Sequence, residues 1–342
     1  MLRLSGSATA LFEQQELWRS KIVRKGKTMP KLELSDAIVR HVNAELLAMD
    51  KHHIQLCFIL DADYPFRLKT CTDAPVSFYY KGNANFNLSH MLAIVGTRNA
   101  SDYGRNCVRK ILSEIKEADV VTISGLAYGI DTEAHSRSVE FGIKTIAVMG
   151  CGLGTIYPHL NEPLSRRILE MGGTLISEYP YNTPPDRLNF PRRNRIIAGM
   201  SDAVLVAESA EKGGSMITAY IAQSYNRDVF AVPGSIFDDN HAGCHRLVRT
   251  NVAAMVTSGT ELIEMMNWEC QHPAVQTSLF VDLTENEEQV MEIIRSMREA
   301  SIDVITESLP EFSPSKLAGI LLGLELKGAV VCKPGKVYAL NP

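Results

Sequence analysis

No stretch of this 342-residue chain approaches the roughly 20 apolar residues that span a bilayer, so no membrane partner is expected. Its N-terminus, MLRLSGSATALFEQQELW, meets charges too soon to form a secretory apolar region, and the expected location is the cytoplasm. No C-x-x-C pair occurs. The seven cysteines (57, 71, 107, 151, 244, 270 and 332) are odd in number and scattered, which excludes a disulfide framework and a zinc ribbon and fits reduced thiols. His241, Cys244 and His245 come nearest to a metal cluster, but no further residue follows at ligand spacing, so no metal is expected. A G-x-x-x-x-G-K-[ST] motif is missing, which removes ATP hydrolysis by a P-loop. GCGLGT (150–155) resembles a dinucleotide fingerprint but breaks its spacing, and no cofactor is expected.

An excess of one charge is lacking as well. The chain carries 35 basic and 39 acidic residues, a net −4, but that balance sums over regions with different roles. Residues 281–342 hold 10 acidic and 6 basic residues, leaving 29 of each in residues 1–280. The larger part is therefore neutral, and its arginines are clustered.

From residue 91 to about 268, short β-branched runs alternate with helical stretches. LAIVG (92–96), VVTIS (120–124), TIAVM (145–149), TLIS (174–177), AVLVA (203–207) and DVFAV (228–232) are unbroken apolar strands, suited to a parallel sheet covered on both faces. Helical stretches over 103–117, 132–141 and 215–225 lie between them. The alternation predicts a Rossmann-like, doubly wound α/β domain with ligands at the carboxyl ends of the strands.

Those ends carry the chemistry. IVGTR turns at Gly96 and presents Arg98, while SGLAYGIDTEAH sets Ser124, Gly125 and Gly129 before a helix N-terminus, where free N–H groups favour an anion. EKGGSMITA (211–219) repeats the arrangement with Lys212, Gly213, Gly214 and Ser215. Any one of these glycines taken singly is read more simply as permitting a tight strand-to-helix turn; it is their coincidence with Arg98 and the 187–195 cluster that points to an anion. Asp131 and His135 stand four apart on one helix, as an acid/base pair or, in the plainer reading, as a helix cap and a locally bonded imidazole. NFPRRNRIIAG (189–199) gathers Phe190, Arg192, Arg193, Asn194 and Arg195 just after Arg187. Guanidinium forks suit phosphates and an aromatic face suits a base, so a loop held open by Pro191 is expected to bind single-stranded nucleic acid. A set of ion pairs or a solvated face is the alternative.

In this order, VGTR, SGLAYGID-x-x-AH, AVMGCGL-x-x-IYP, NFPRRNRIIAGMSDAVLV, E-x-x-x-x-GS-x-ITA, VFAVPG and GCHRLVR resemble the core of the DNA-processing protein A (DprA/Smf) family over about residues 55–268. The resemblance implies a dimeric, non-catalytic binder of single-stranded DNA that shields incoming DNA and loads the RecA recombinase in natural transformation. It implies DNA contacts at Gly96, Arg98, Arg187, Phe190 and 192–195, and phosphate-facing turns at Ser124, Gly125, Gly129, Lys212, Gly214 and Ser215. Tyr128 stands where many relatives carry arginine, and His245 departs from the usual GCNR. The implied organisation is a truncated or degenerate helical segment (1–50), the extended Rossmann-like core (51–270), a linker (271–283) and a C-terminal winged helix (284–342).

The tail supports that last unit. TENEEQVMEIIRSM opens with a capping-box pattern, two further helical segments follow, and VVCKPGKVYAL reads as a hairpin with a Pro-Gly turn. Its third helix offers only Lys316 and Lys327 against Glu325, so protein contact or an accessory role is expected. Two other functions compete. Nucleotide phosphoribohydrolases of the LOG type share the architecture, but EKGGSMITA lacks the leading proline and closing glutamate of their P-G-G-x-G-T-x-x-E stretch. A transcription regulator acting through the winged helix is opposed by that unit's acidity.

Overall fold

The computed structural model describes residues 7–14, 23–24, 27–28, 33, 35–83, 85–268, 283–297, 299–327, 329–333 and 336–340. The chain divides into two compact units, Met1–Cys270 and Gln271–Pro342. The expected linker lies outside the described residues apart from Leu283.

The first unit opens with a short helix, Ala8–Glu13, and a two-residue ladder between Val23–Arg24 and Lys27–Thr28. Helix α1 (Asp36–His52) follows, its N-terminus capped by the Ser35 hydroxyl. The chain then runs through β1 (Gln55–Phe58), a single turn at Phe66–Lys69, and β2 (Ser77–Gly82). The alternating part is β3 (His90–Gly96), α2 (Asp102–Ile115), β4 (Val120–Ser124), α3 (Ile130–Glu140), β5 (Thr145–Met149), α4 (Glu162–Glu170) and β6 (Thr174–Ser177). It continues with α5 (Asn189–Met200), β7 (Ala203–Glu208), α6 (Gly214–Ser224), β8 (Asp228–Ala231), α7 (Ala242–Arg249), β9 (Ala254–Met255) and α8 (Gly259–Met266).

All nine strands from β1 to β9 form one sheet in the order β9-β8-β7-β3-β4-β5-β6-β2-β1. Pairing is parallel from β9 to β6, and β2 and β1 add an antiparallel edge. Every residue of β4, β5, β6 and β7 is buried, as strands covered on both faces require. Alternation along β3 divides the core. Leu92 and Ile94 pack with Val108, Ile111 and Trp268 on the α2 face, whereas Ala93 and Val95 pack with Ile196, Ile197 and Met216 beneath α5 and α6. The expected doubly wound α/β domain is the fold observed.

The chain winds outward from β3 through β4, β5 and β6, then returns to build β7, β8 and β9 on the other side. The strand order therefore reverses beside β3, between β7 and β4. Connections leaving β3 and β7 part there and open a crevice at their carboxyl ends.

The second unit contains α9 (Glu285–Met297), β10 (Glu299–Ser301), α10 (Ile302–Ser308), α11 (Pro314–Leu326), β11 (Val330–Lys333) and β12 (Val337–Leu340). Its small sheet runs β10-β12-β11, all antiparallel, over a core that includes Val290, Ile294, Ile305, Leu317 and Leu321. The short strand β10 was not apparent in the sequence, and the Pro334-Gly335 turn lies outside the described residues. Glu287 accepts from the Thr284 backbone N–H at 2.7 Å, which is the reaching-back half of the expected capping box. Its carboxylate also takes Lys327 at 2.7 Å, and the Lys327 bond, then the Thr284 N–H, hold its pKa down at about 2.

Candidate nucleic-acid interface

The arginine cluster lies on helix rather than loop. α5 starts at Asn189, so Pro191 sits in its first turn, where a missing N–H costs nothing and a fixed φ suits the helix. The expected loop held open by Pro191 is thereby corrected to a helix that contains it. Helical geometry then sends successive residues about 100° apart around the axis, so Arg192 and Arg195, three positions apart, stay on one side while Arg193 is turned away from Arg195.

Arg193 turns inward. It is buried, and its Nη1 donates to the Gly125 carbonyl at 2.6 Å and also to the Val148 carbonyl. Gly125 is required there, because a Cβ would stand 2.2 Å from the guanidinium. Arg195 is held by both carboxylate oxygens of Glu178, at 2.5 Å each, and by the Asp73 carbonyl at 2.5 Å. For these two residues the structure corrects the expectation of free phosphate-binding cations and gives them internal anchors instead. Arg192 is exposed, and with Arg195 it lines a separate cavity of about 750 Å³ bounded by Asp73, Glu178 and Tyr179.

The other predicted residues meet at the topological switch. Gly96, Arg98, Arg187, Phe190, Asn194, Gly214 and Ser215 line a cavity of about 660 Å³, with Arg193 at its inner wall. Its rim holds Arg98 and Arg187, both exposed and in no ion pair among the described residues. The Phe190 ring is half-buried. Gly150 lies so close behind it that a Cβ there would be 2.7 Å from the ring. Arg98 holds its guanidinium 5.2 Å from the ring centroid, and the Tyr157 ring lies at 5.6 Å, tilted by 38°. Cation and ring thus attract one another before any ligand enters. Opposite, α6 begins at Gly214 with no side chain among the described residues capping its N-terminus, leaving amide donors toward the cavity.

Ser124, Gly129 and Lys212 have other positions. The Ser124 hydroxyl donates to the Ile94 carbonyl at 2.6 Å, fully buried, and ties β4 to β3. Gly129 adopts φ +77°, and a Cβ would strike the Thr97 carbonyl at 2.2 Å, so this residue joins the turn after β3 to the start of α3. Lys212 is exposed and lines neither cavity, and the Ser215 hydroxyl is spent on Ser209 at 2.7 Å. Tyr157 and Thr97 line the cavity without having been singled out; Tyr157 was visible only as part of the IYP motif.

Asp131 and His135 do not form an acid/base pair. The Asp131 carboxylate accepts from the Gly125 N–H at 3.1 Å and the Ala127 N–H at 3.4 Å, bracing the turn before its own helix rather than capping α3. Burial pushes its pKa up, while Arg193 and those N–H donors pull it down, and the net direction is up. His135 is fully buried, with Nδ1 on the Thr145 hydroxyl at 2.7 Å. Burial, then the Arg193 charge, lowers its pKa from 6.5 to about 3.

A stability slope follows. Between those two values the unfolded chain binds a proton that folded His135 refuses, so stability falls as pH drops from about 6.5 toward about 3, by up to about 1.4 kcal/mol per pH unit. The raised Asp131 carboxyl acts in the opposite sense, because its folded form gains a proton first on acidification, and it offsets part of the loss. Urea melts at about pH 7 and about pH 5 should show a steep loss for the wild type and a shallower one for His135→Gln. An unchanged slope in the variant would move the effect to another group.

Residues 55–267 match the family model for DNA recombination-mediator protein A. The chain belongs to the DprA/Smf family. Over 205 residues it is 43% identical to DNA processing protein DprA of Streptococcus pneumoniae, covering 60% of this chain and 72% of the relative. Over 303 residues it is 35% identical to Protein Smf of Escherichia coli, covering 86% and 79%. The solved DprA of S. pneumoniae superposes with a TM-score of 0.61 at 39% identity, over 68% of this chain and 81% of the other. DprA of Helicobacter pylori, a structure that addresses that protein's single-stranded DNA binding mode, superposes at 0.57 with 26% identity, over 64% and 99%. The DprA/Smf match thus spans the whole sheet from β1 to α8, cavity included. No described helix is long and apolar enough to cross a membrane.

Proposed function

We propose that this DprA/Smf chain is a non-catalytic single-stranded DNA-binding protein. In this reading it works in the cytoplasm as a homodimer, protects incoming DNA during natural transformation and hands it to RecA. The observation that carries the binding role is the cavity at the switch point, where Arg98 and Arg187 flank the half-exposed Phe190 ring. A strand with splayed bases offers what that surface takes: phosphates for the guanidiniums and a flat face for the ring. The base-paired stack of a duplex withholds its faces. The single-stranded DNA studied with the H. pylori relative supports the same ligand class.

The C-terminal unit is read as a winged helix with an accessory, protein-contacting role. Both cations singled out on or beside α11 are engaged internally, Lys327 with Glu287 and Lys316 over the Phe312 ring at 4.2 Å.

Anisotropy titration of labelled oligo-dT, beside a duplex of equal length, tests the reading. With Arg98 and Arg187 as the phosphate contacts of the cavity, log affinity should fall with log salt at a slope of about −1.4, roughly a sevenfold weakening from about 50 to about 200 mM. The Arg98→Ala, Arg187→Ala variant should lose that slope. Equal affinity for duplex, or no binding at all, would overturn the reading and turn attention to release of free base from nucleotides.

A further inference from the structure

A further concavity, with a volume of about 440 Å³, opens beside the switch-point cavity, and Arg98 lines both. Its walls are Tyr128, 43% exposed, and Leu160, 78% exposed, an aromatic face and an aliphatic one left largely open. Its floor is the tight Gly129 turn and Thr132, whose hydroxyl is fixed on the Ala127 carbonyl at 2.6 Å. Its second cation is Arg105, 43% exposed and only 3.9 Å from Glu133 Oε2. The other Glu133 oxygen already holds Arg137 at 2.6 Å, so Arg105 is the loosely held partner of that carboxylate. Tyr128 makes no hydrogen bond among the described residues, which leaves its ring free to meet a ligand.

We propose that this concavity is a second nucleotide subsite, in which Tyr128 stacks the base neighbouring the one on Phe190. The inference rests on the single-strand reading above. Two successive nucleotides share one phosphate, and a guanidinium common to both cavities stands where that shared phosphate must pass. Arg105 takes the phosphate on the far side, and Leu160 closes over the outer edge of the base. In this arrangement the chain holds a dinucleotide step by two rings, Phe190 and Tyr128, with Arg98 between them. A free mononucleotide fits the same chemistry less well, because it has no use for a cation shared with the next cavity.

The test is competition by unlabelled oligo-dT of graded length, from the dinucleotide upward, and by dTMP, against a labelled longer strand bound to the intact protein. Tyr128→Ala should weaken the longer strand roughly 5- to 150-fold, in line with the loss of one stacked base. Tyr128→Phe should bind as the wild type does; Arg105 adds a third phosphate contact to the two of the main cavity, steepening the wild-type slope from about −1.4 to about −2.1, and Arg105→Ala should return it to about −1.4. Melting curves of all three should overlay the wild type, since the side chains are exposed. Wild-type affinity in Tyr128→Ala would overturn the subsite while leaving the main cavity standing. Equal losses in the alanine and phenylalanine variants would also overturn it, by making the hydroxyl the contact. Competition by dTMP as strong as that of the dinucleotide would assign the concavity to free nucleotides instead. A wild-type protein that binds no single strand would sink the parent reading and this one together.

Discussion

Arg193→Ala is expected to lower the unfolding free energy by on the order of 3–5 kcal/mol, the largest stability effect of any arginine in the 187–195 segment. The side chain is buried, and its Nη1 serves two backbone carbonyls at once, Gly125 at the end of β4 and Val148 in β5. Truncation strands both carbonyls in a site that water reaches poorly, at about 1–3 kcal/mol for each buried acceptor left unpaired. It also removes the cation that offsets Asp131, whose carboxylate is already pushed toward its neutral form by burial. A buried charge deprived of its counterpart is the more damaging half of such a deletion. Burial likewise lowers the pKa of Arg193 itself, and Asp131 is the first group acting to raise it, so the two depend on one another. Arg192→Ala is the control. Exposed and with no ion pair among the described residues, it should change stability by no more than about 0.5 kcal/mol. Urea melts of the two variants side by side measure the difference, and similar midpoints would show that Arg193 is not the bolt joining α5 to the strand ends.

The same residues show what a linear reading captures. The sheet was legible because its strands are continuous β-branched runs bounded by glycine, serine or proline, and each of the six quoted segments occurs as a strand. The switch-point cavity followed from that order, and Gly96, Arg98, Arg187, Phe190 and Gly214 do meet there. The direction of each arginine was not legible. A four-residue stretch with three guanidiniums looks like one charged patch until a helix turns Arg193 inward and leaves Arg192 and Arg195 together on another side. Glu178, which holds Arg195, lies 17 positions upstream beyond another strand end, and nothing local marks it as the partner. Asp131 was misassigned for a related reason. A carboxylate at the start of a helix suggests a cap, but here the preceding turn folds back and offers its own N–H groups first. Ser124 and Ser215 likewise carry hydroxyls that the neighbouring β3 carbonyl and Ser209 claim, so these turns offer a ligand backbone rather than side-chain groups.

Phe190→Ala is expected to weaken single-strand binding by about 1–3 kcal/mol, or roughly 5- to 150-fold, the largest binding effect of a single substitution in the cavity. The ring is only half-buried, and one edge rests on Gly150, so its free surface faces the cavity that Arg98 overhangs. A base entering between them needs about 3.4 Å on each side, the thickness of a stacked layer. The guanidinium, now 5.2 Å from the ring centroid, must therefore swing outward by roughly 1.6 Å. An exposed side chain with no ion pair among the described residues moves that far at little cost, and its N–H groups then reach the phosphate beside the stacked base. Alanine alone does not separate stacking from packing, since the ring also fills space beside Tyr157. Phe190→Leu does: it restores much of the lost volume without an aromatic face, so its melting temperature should approach the wild type while its affinity stays close to that of the alanine variant. Phe190→Trp should bind at least as tightly as the wild type. If leucine instead restores binding, the ring is a spacer that shapes the cavity, and the affinity resides in the arginines and the N-terminus of α6.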